Sequence, residues 1–223
     1  MTHGCVNYAR TMLIVFDLDG TLVDSSRALL EAHEIAWSSL GLQRPADREI
    51  LNLVGLPLVH TMRTLAPNEN PEALAEAYSQ AYVETAAQYE RLFDGMTELL
   101  ARPFRAAVAT GKSQRGADRT VAHHGLGDRF EVVLGGNSVP RPKPNPDLLN
   151  AIMLETGTEA RDLVMIGDTT FDLEMAHAAG VRAIGVEWGH HTVSELRKWA
   201  PVVDTVDALD QLLRQHETLW SQS

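Results

Sequence analysis

The stretch "MLIVFDLDGTLVDS", residues 12 to 25, decides how the chain is read. Met12 to Phe16 is an unbroken apolar run, the pattern of a strand buried on both faces of a parallel sheet. Asp17 and Asp19 follow at once. On an extended chain, residues i and i+2 project to the same side, so both carboxylates can face one ligand. Like charges that close are unfavourable unless a cation or chemistry offsets them. Gly20 then lets the backbone turn or approach a ligand closely. Asp and Gly are also ordinary turn formers, but the position of the whole string at the end of a buried strand favours function.

Further short apolar runs recur at 106–109, 132–134, 163–166 and 181–186. Segments of helical length, 113–124, 147–155 and 171–179, lie between the later ones. This alternation is the signature of βαβ units, hence an α/β fold with a Rossmann-like parallel-sheet core. Residues 25–92 break it. Leu29, Leu30, Trp37 and Leu40 fit a helical stripe, as do Leu74, Ala77, Tyr78, Ala81 and Tyr82. Gly41, Pro45, Gly55-Leu56-Pro57, Pro67 and Pro71 punctuate the stretch into about four helices. The organisation expected is a discontinuous α/β core, 1–24 and 93–223, interrupted by a helical cap at 25–92.

A chain of 223 residues suits one domain with a smaller insert. The formal net charge of −11 argues against a nucleic-acid partner or an anionic membrane surface. Cys5 is the single cysteine, so neither an internal disulfide framework nor a thiolate metal cluster is available. The opening "MTHGCVNYARTMLIV" has no secretory pattern, and no apolar run reaches the length of a membrane span. The expectation is a soluble cytoplasmic protein. Oligomeric state is left open.

In an open parallel sheet, ligands bind beyond the carboxyl ends of the strands. Four loops would meet there, bearing Asp17 and Asp19, Thr110-Gly111-Lys112, Lys143, and Asp168 with Asp172. In "VMIGDTTFDLEMAHAAG", residues 164 to 180, capping the following helix explains one acid but not two. Three or four convergent carboxylates without sulfur or imidazole form an oxygen-rich site suited to Mg²⁺. In "VPRPKPNPDLL", residues 139 to 149, flanking prolines stiffen the loop that presents Lys143. Asn145 as N-cap with Pro146 at the first helical position would start the next helix. "ATGKS" resembles the tail of a Walker A loop, but Ala106 stands where that motif needs glycine. Thr110 and the Gly111 amide could still hold a phosphate oxygen. The pairs His123-His124 and His190-His191 are adjacent, so each pair should diverge rather than share a metal. Trp188, Trp199 and Trp220 read as packing residues.

Together "FDLDGTLVDS", "ATGK", "PKPNPD" and "GDTTFDLEMAHAAG" resemble, in content and order, the motifs of the haloacid dehalogenase superfamily of phosphohydrolases. "VGLPL" and "GVEWG" look most like its phosphoglycolate phosphatase branch. The resemblance implies a Mg²⁺-dependent phosphatase for small phosphorylated metabolites, 2-phosphoglycolate first among them. By resemblance Asp17 is the nucleophile and forms an aspartyl-phosphate, and Asp19 is the general acid and base. Leu18, Asp19, Thr110, Gly111 and Lys143 would bind phosphate, Thr110 and Lys143 also serving catalysis. Asp17, the Asp19 backbone carbonyl and Asp168 would hold the metal, with Asp172 behind them.

One departure is Gly111, where the family commonly has Asn after the Thr. Mutases of the family commonly carry a His on the first cap helix, where Leu29 stands here, and dehalogenation does not need an acid at Asp19. A catalytically dead scaffold is the rival from another class, against which the complete motifs speak. For a substrate carboxylate, Arg27, Arg63 and His60 are the cap candidates.

Overall fold

The computed structural model describes residues 12–220, with side chains through residue 215. Cys5, most of the opening segment and the Trp220 side chain lie outside the described residues. In chain order the elements are β1 (Leu13–Phe16), β2 (Val23–Asp24), α1 (Ser26–Ser39), α2 (Asp47–Leu51), α3 (Leu58–Leu65), α4 (Pro71–Tyr89), β3 (Arg91–Leu92), α5 (Met96–Leu100), β4 (Arg105–Ala109), α6 (Gln114–His123), β5 (Val132–Leu134), α7 (Asp147–Thr156), β6 (Leu163–Gly167), α8 (Thr170–Ala178), β7 (Arg182–Val186), α9 (Val193–Leu196), β8 (Val202–Val203) and α10 (Val206–Trp220).

Six strands form one parallel sheet in the order β5-β4-β1-β6-β7-β8, an α/β fold with β1 in the middle. All four β1 residues are buried because both faces are covered. Ile14 and Phe16 pack with Met96, Val121, Leu209 and Leu213 on one face. Leu13 and Val15 pack with Leu148, Ile152 and Met175 on the other. Phe16 pairs with Val108 on one side and Ile166 on the other, so β4, β1 and β6 end level. That shared edge is where the chain reverses direction across the sheet, the place where ligands bind in such folds.

Helices α1, α3 and α4 pack around a separate apolar cluster that includes Trp37, Met62, Leu74 and Tyr78. The chain enters and leaves this unit through the antiparallel ribbon β2–β3, in which Val23 pairs with Leu92. The helical stripe expected on α1 is altered at its end. Leu40 is 44% exposed because the helix stops at Ser39, and Ala32, His33 and Ala36 are buried between Leu29 and Trp37. The start of α7 also differs. Pro146 occupies the cap position and Asp147 begins the helix. Asn145 instead donates from Nδ2 to the Pro142 carbonyl at 3.1 Å, a local turn that competes with helix capping.

Candidate active site

Asp17 continues the β1 ladder by donating its backbone N–H to the Ile166 carbonyl at 3.0 Å. Thr110 does the same from β4, donating to the Leu134 carbonyl at 3.0 Å. The sheet thus delivers Asp17, Thr110 and Asp168 to one edge. The loop before α7 adds Lys143 there, and the first turn of α8 adds Asp172. Asp17, Lys143, Asp168 and Asp172 are all buried.

Asp17, Asp168 and Asp172 each offer a carboxylate oxygen, and these oxygens lie within 4.8 Å of one another. Lys143 Nζ stands 3.0 Å from Asp17 Oδ1 and donates to Asp172 Oδ1 at 2.5 Å. Burial would discharge this ammonium, but Asp17 and Asp172 outweigh it and hold its pKa above the usual lysine value. Asp172 Oδ2 accepts from the Thr169 backbone N–H and hydroxyl, so the residue also caps α8. Burial, Asp172, Asp168 and Asp19 together push Asp17 up to about 7, although Lys143 opposes them. Neither oxygen of Asp17 has a hydrogen-bond partner. An all-oxygen set with an orphaned, crowded carboxylate fits a hard divalent cation, and Asp17, Asp168 and Asp172 are the side chains placed to hold one.

Asp168 is fixed from both sides. Its Oδ1 accepts from the Thr21 hydroxyl at 2.8 Å, and its Oδ2 meets the His190 backbone N–H and Nδ1, each at 2.8 Å. Burial alone would raise its pKa, but these bonds and the His190 charge outweigh it and lower it. His190, passed over as one of an adjacent pair, is thus part of the site. His191 does diverge from it. Its Nδ1 accepts from the Thr170 N–H at 3.1 Å, which leaves Nε2 to donate to the Asn52 carbonyl, 3.2 Å away. Gly20, at φ +79°, passes so close that a Cβ there would lie 2.2 Å from Asp168 Oδ2. Glycine is required at this turn.

Asp19 borders the same cavity as Asp17 but takes its partners from the cap side. Its Oδ1 accepts from the Ser25 hydroxyl at 2.6 Å and pairs with Lys112 Nζ at 3.1 Å. Lys112 donates to the Tyr82 hydroxyl at 2.8 Å and stands 3.6 Å from Glu90 Oε1. Tyr82 in turn donates to Glu90 Oε1. The sequence places Lys112 at this edge beside Thr110 and Gly111 without a role of its own, and nothing in it marks Tyr82 or Glu90 as site residues. Glu90 also joins His123 and His124 in a second group whose ligand atoms lie within 4.8 Å of one another. The expectation that this histidine pair diverges is corrected: His123 ends α6 and His124 is its C-cap, with rings 4.8 Å apart and ring nitrogens near the same carboxylate.

The Leu18 side chain is in the core, so its backbone is what it presents at the edge. Thr110 is buried beside Gly111. A Cβ on Gly111 would lie 2.2 Å from the Gly55 carbonyl oxygen of the α2–α3 loop. The glycine in place of the common Asn therefore allows the cap loop to rest directly on the core loop.

Cap and core enclose a cavity of about 520 Å³ that reaches Asp17, Asp19 and Thr110. Leu29, Ile50, Leu53 and Leu56 line its cap side, and Arg115 and Arg119 line its core side. None of the cap residues expected to meet a substrate carboxylate lines it. Arg27 is exposed and stacks on Tyr89, Arg63 pairs with Glu72, and His60 is exposed. Each sits on the outer face of its helix.

Residues 14–186 match the family described as "Haloacid dehalogenase-like hydrolase". A Dickeya dadantii protein named "Probable phosphatase IndB" is 34% identical over 205 residues, covering 86% of this chain and 89% of its own. "Tyrosine-protein kinase PtkA" of Mycobacterium tuberculosis is 31% identical, with 91% and 71% covered. "Phosphoglycolate phosphatase" of Vibrio vulnificus is 30% identical, with 90% and 94% covered. Among the described residues no helix is long and apolar enough to cross a membrane.

Proposed function

The chain belongs to the haloacid dehalogenase-like hydrolases, and from that premise we propose that it is a Mg²⁺-dependent phosphatase of small phosphate monoesters working through an aspartyl-phosphate. Its relatives named phosphatases support the reaction class. The observation that carries the reading is Asp17, a buried carboxylate whose oxygens accept no hydrogen bond and whose charge is met by the Lys143 ammonium beside two further acids. The proposal keeps the cytoplasm as its setting.

In this reading Asp17 attacks phosphorus and its oxygen forms the new P–O bond while the ester P–O bond breaks. Asp19 gives its proton to the departing alkoxide. It then takes a proton from the water that attacks the phosphorylated Asp17, releasing inorganic phosphate and restoring the carboxylate. Lys143 and Thr110 bind the transferring group, and the Leu18, Asp19 and Gly111 backbones are placed to help. A divalent cation at Asp17, Asp168 and Asp172, with the Asp19 carbonyl, would supply charge neutralisation for a dianionic ester meeting a carboxylate. The closed cap excludes bulk water.

The mutase alternative gains no support from His33, which reaches the cavity one turn beyond Leu29. Burial, aided by Arg44, lowers its pKa to about 3, so it is a poor proton carrier at neutral pH. The test is phosphate release across a metabolite panel with 2-phosphoglycolate as its first member. Turnover with Mg²⁺ and none after chelation is expected. No hydrolysis of any ester with Mg²⁺ present would reject the reading.

A further inference from the structure

The cavity is long as well as large. Its lining includes Ser113 at the cap of α6 with Gly116, Thr120 and His123 on that helix, and on α4 Glu76, Gln80, Val83 and Ala87. Spacings of three and four residues mean that one whole face of each helix borders it. From Ser113 to His123 the wall runs about 15 Å at 1.5 Å per residue. A helix joining parallel strands runs back against them, so α6 leads away from the catalytic edge. A two-carbon acid ester would fill only the catalytic end. A volume near 520 Å³ is the size of sites that take drug-sized ligands.

The charge along this wall is specific. Arg115 and Arg119, one turn apart on α6, border the cavity, and among the described residues neither forms an ion pair or hydrogen bond. Lys112, by contrast, is engaged with Asp19, Tyr82 and Glu90. A chain of net charge −11 has ample carboxylates to neutralise surface arginines, yet these two stay open toward the cavity. Guanidinium forks match a carboxylate or phosphate in shape and charge. Nearer Asp17, the cap residues Leu29, Ile50, Leu53 and Leu56 offer an apolar wall.

We infer that the preferred substrate is longer than 2-phosphoglycolate: a phosphate monoester with an extended, partly apolar body and a second anionic group held by Arg115 and Arg119. The inference rests on the phosphatase reading and sharpens it.

The experiment is steady-state phosphate release from ω-phosphooxy carboxylic acids of increasing chain length, beginning with 2-phosphoglycolate. Matched α,ω-bisphosphates and alkyl phosphates lacking the second charge form the comparison arms. The acid and bisphosphate arms distinguish the two anions. For the wild type, kcat/KM should climb with length, and the best long substrate with a second anionic group should exceed the alkyl phosphate of equal length by about tenfold or more. In the Arg115→Ala/Arg119→Ala variant that preference should vanish through KM rather than kcat. An optimum at 2-phosphoglycolate, or a preference that survives in the variant, overturns the inference while leaving the phosphatase reading intact. If no ester is hydrolysed, calorimetric binding of a non-hydrolysable long phosphonate carboxylate decides separately. Binding weakened about tenfold in the double variant supports the inference, and equal binding overturns it.

Discussion

Two lysines, Lys143 buried and Lys112 partly so, mark two differently built halves of the site. Lys143 has a fully buried side chain and, among the described residues, forms its ion pairs with Asp17 and Asp172 at the sheet edge. Lys112, with 10% of its side chain exposed, bridges Asp19 on the core to Tyr82 and Glu90 at the end of the cap. The first half is made by strand register and does not need the cap. The second half exists only while cap and core touch. Rigid chemistry and adjustable access are thus assigned to the two carboxylates of one Asp-X-Asp segment, both bordering the same cavity.

The sharpest way to break this comparison is at Lys143. Lys143→Met should reduce phosphate release to background and lower unfolding free energy by roughly 3–5 kcal/mol, because two buried carboxylates lose their counter-charge. Steady-state rates and urea unfolding measure both. Next is the cap contact. Gly111→Ala puts a Cβ into the Gly55 carbonyl, and a cap displaced by about an ångström should cost roughly a hundredfold in kcat with little change in melting temperature. A rate equal to wild type would mean that this contact is not part of the working enzyme. Lys112→Met should lose only about tenfold in kcat/KM, since Ser25 still holds Asp19. A loss as large as that of Lys143→Met would erase the distinction between the two halves.

The smallest effect at neutral pH is expected from His33→Leu, whose consequence lies in stability. His33 titrates near 3 in the folded chain and near its ordinary value of 6.5 when unfolded. Between those values the unfolded state binds more protons, so stability rises with pH across this window and is lost as pH falls through it. The slope approaches about 1.4 kcal/mol per pH unit from this one group. His33→Leu should flatten that dependence in chemical denaturation between pH 4 and 6. An unchanged slope would show that the ring is not buried neutral.

The two halves also differ in how far the sequence discloses them. Asp17, Thr110 and Asp168 follow apolar runs of a βαβ pattern, and parallel strands gather such residues at one edge. That much is readable without coordinates of any kind. Lys112, Tyr82 and Glu90 come from a core loop and the far end of α4, and no pattern in the sequence gives the angle at which cap meets core. Glu90 reads as an ordinary acid after a helix. Arg27 and Arg63 failed as substrate contacts for the same reason: charge and rough location do not say which face of a helix turns inward. His190 lies 22 residues beyond Asp168, and only the return of the chain after β7 brings it back. Gly111 was legible as a departure, but its reason, the Gly55 carbonyl, was not.

The central claim is that Asp17 itself becomes esterified during turnover. Single-turnover hydrolysis in ¹⁸O-labelled water, followed by mass spectrometry of the peptide containing Asp17, reads this directly. With enzyme in excess the label should appear in the released phosphate. The Asp17 carboxylate should stay unlabelled, because only P–O bonds form and break, while samples quenched in acid during turnover should carry a phosphoryl group on Asp17 and on no other acid of the site. Label that enters phosphate with no phosphorylated Asp17 in the acid-quenched samples would mean that water attacks the ester directly and would contradict the account.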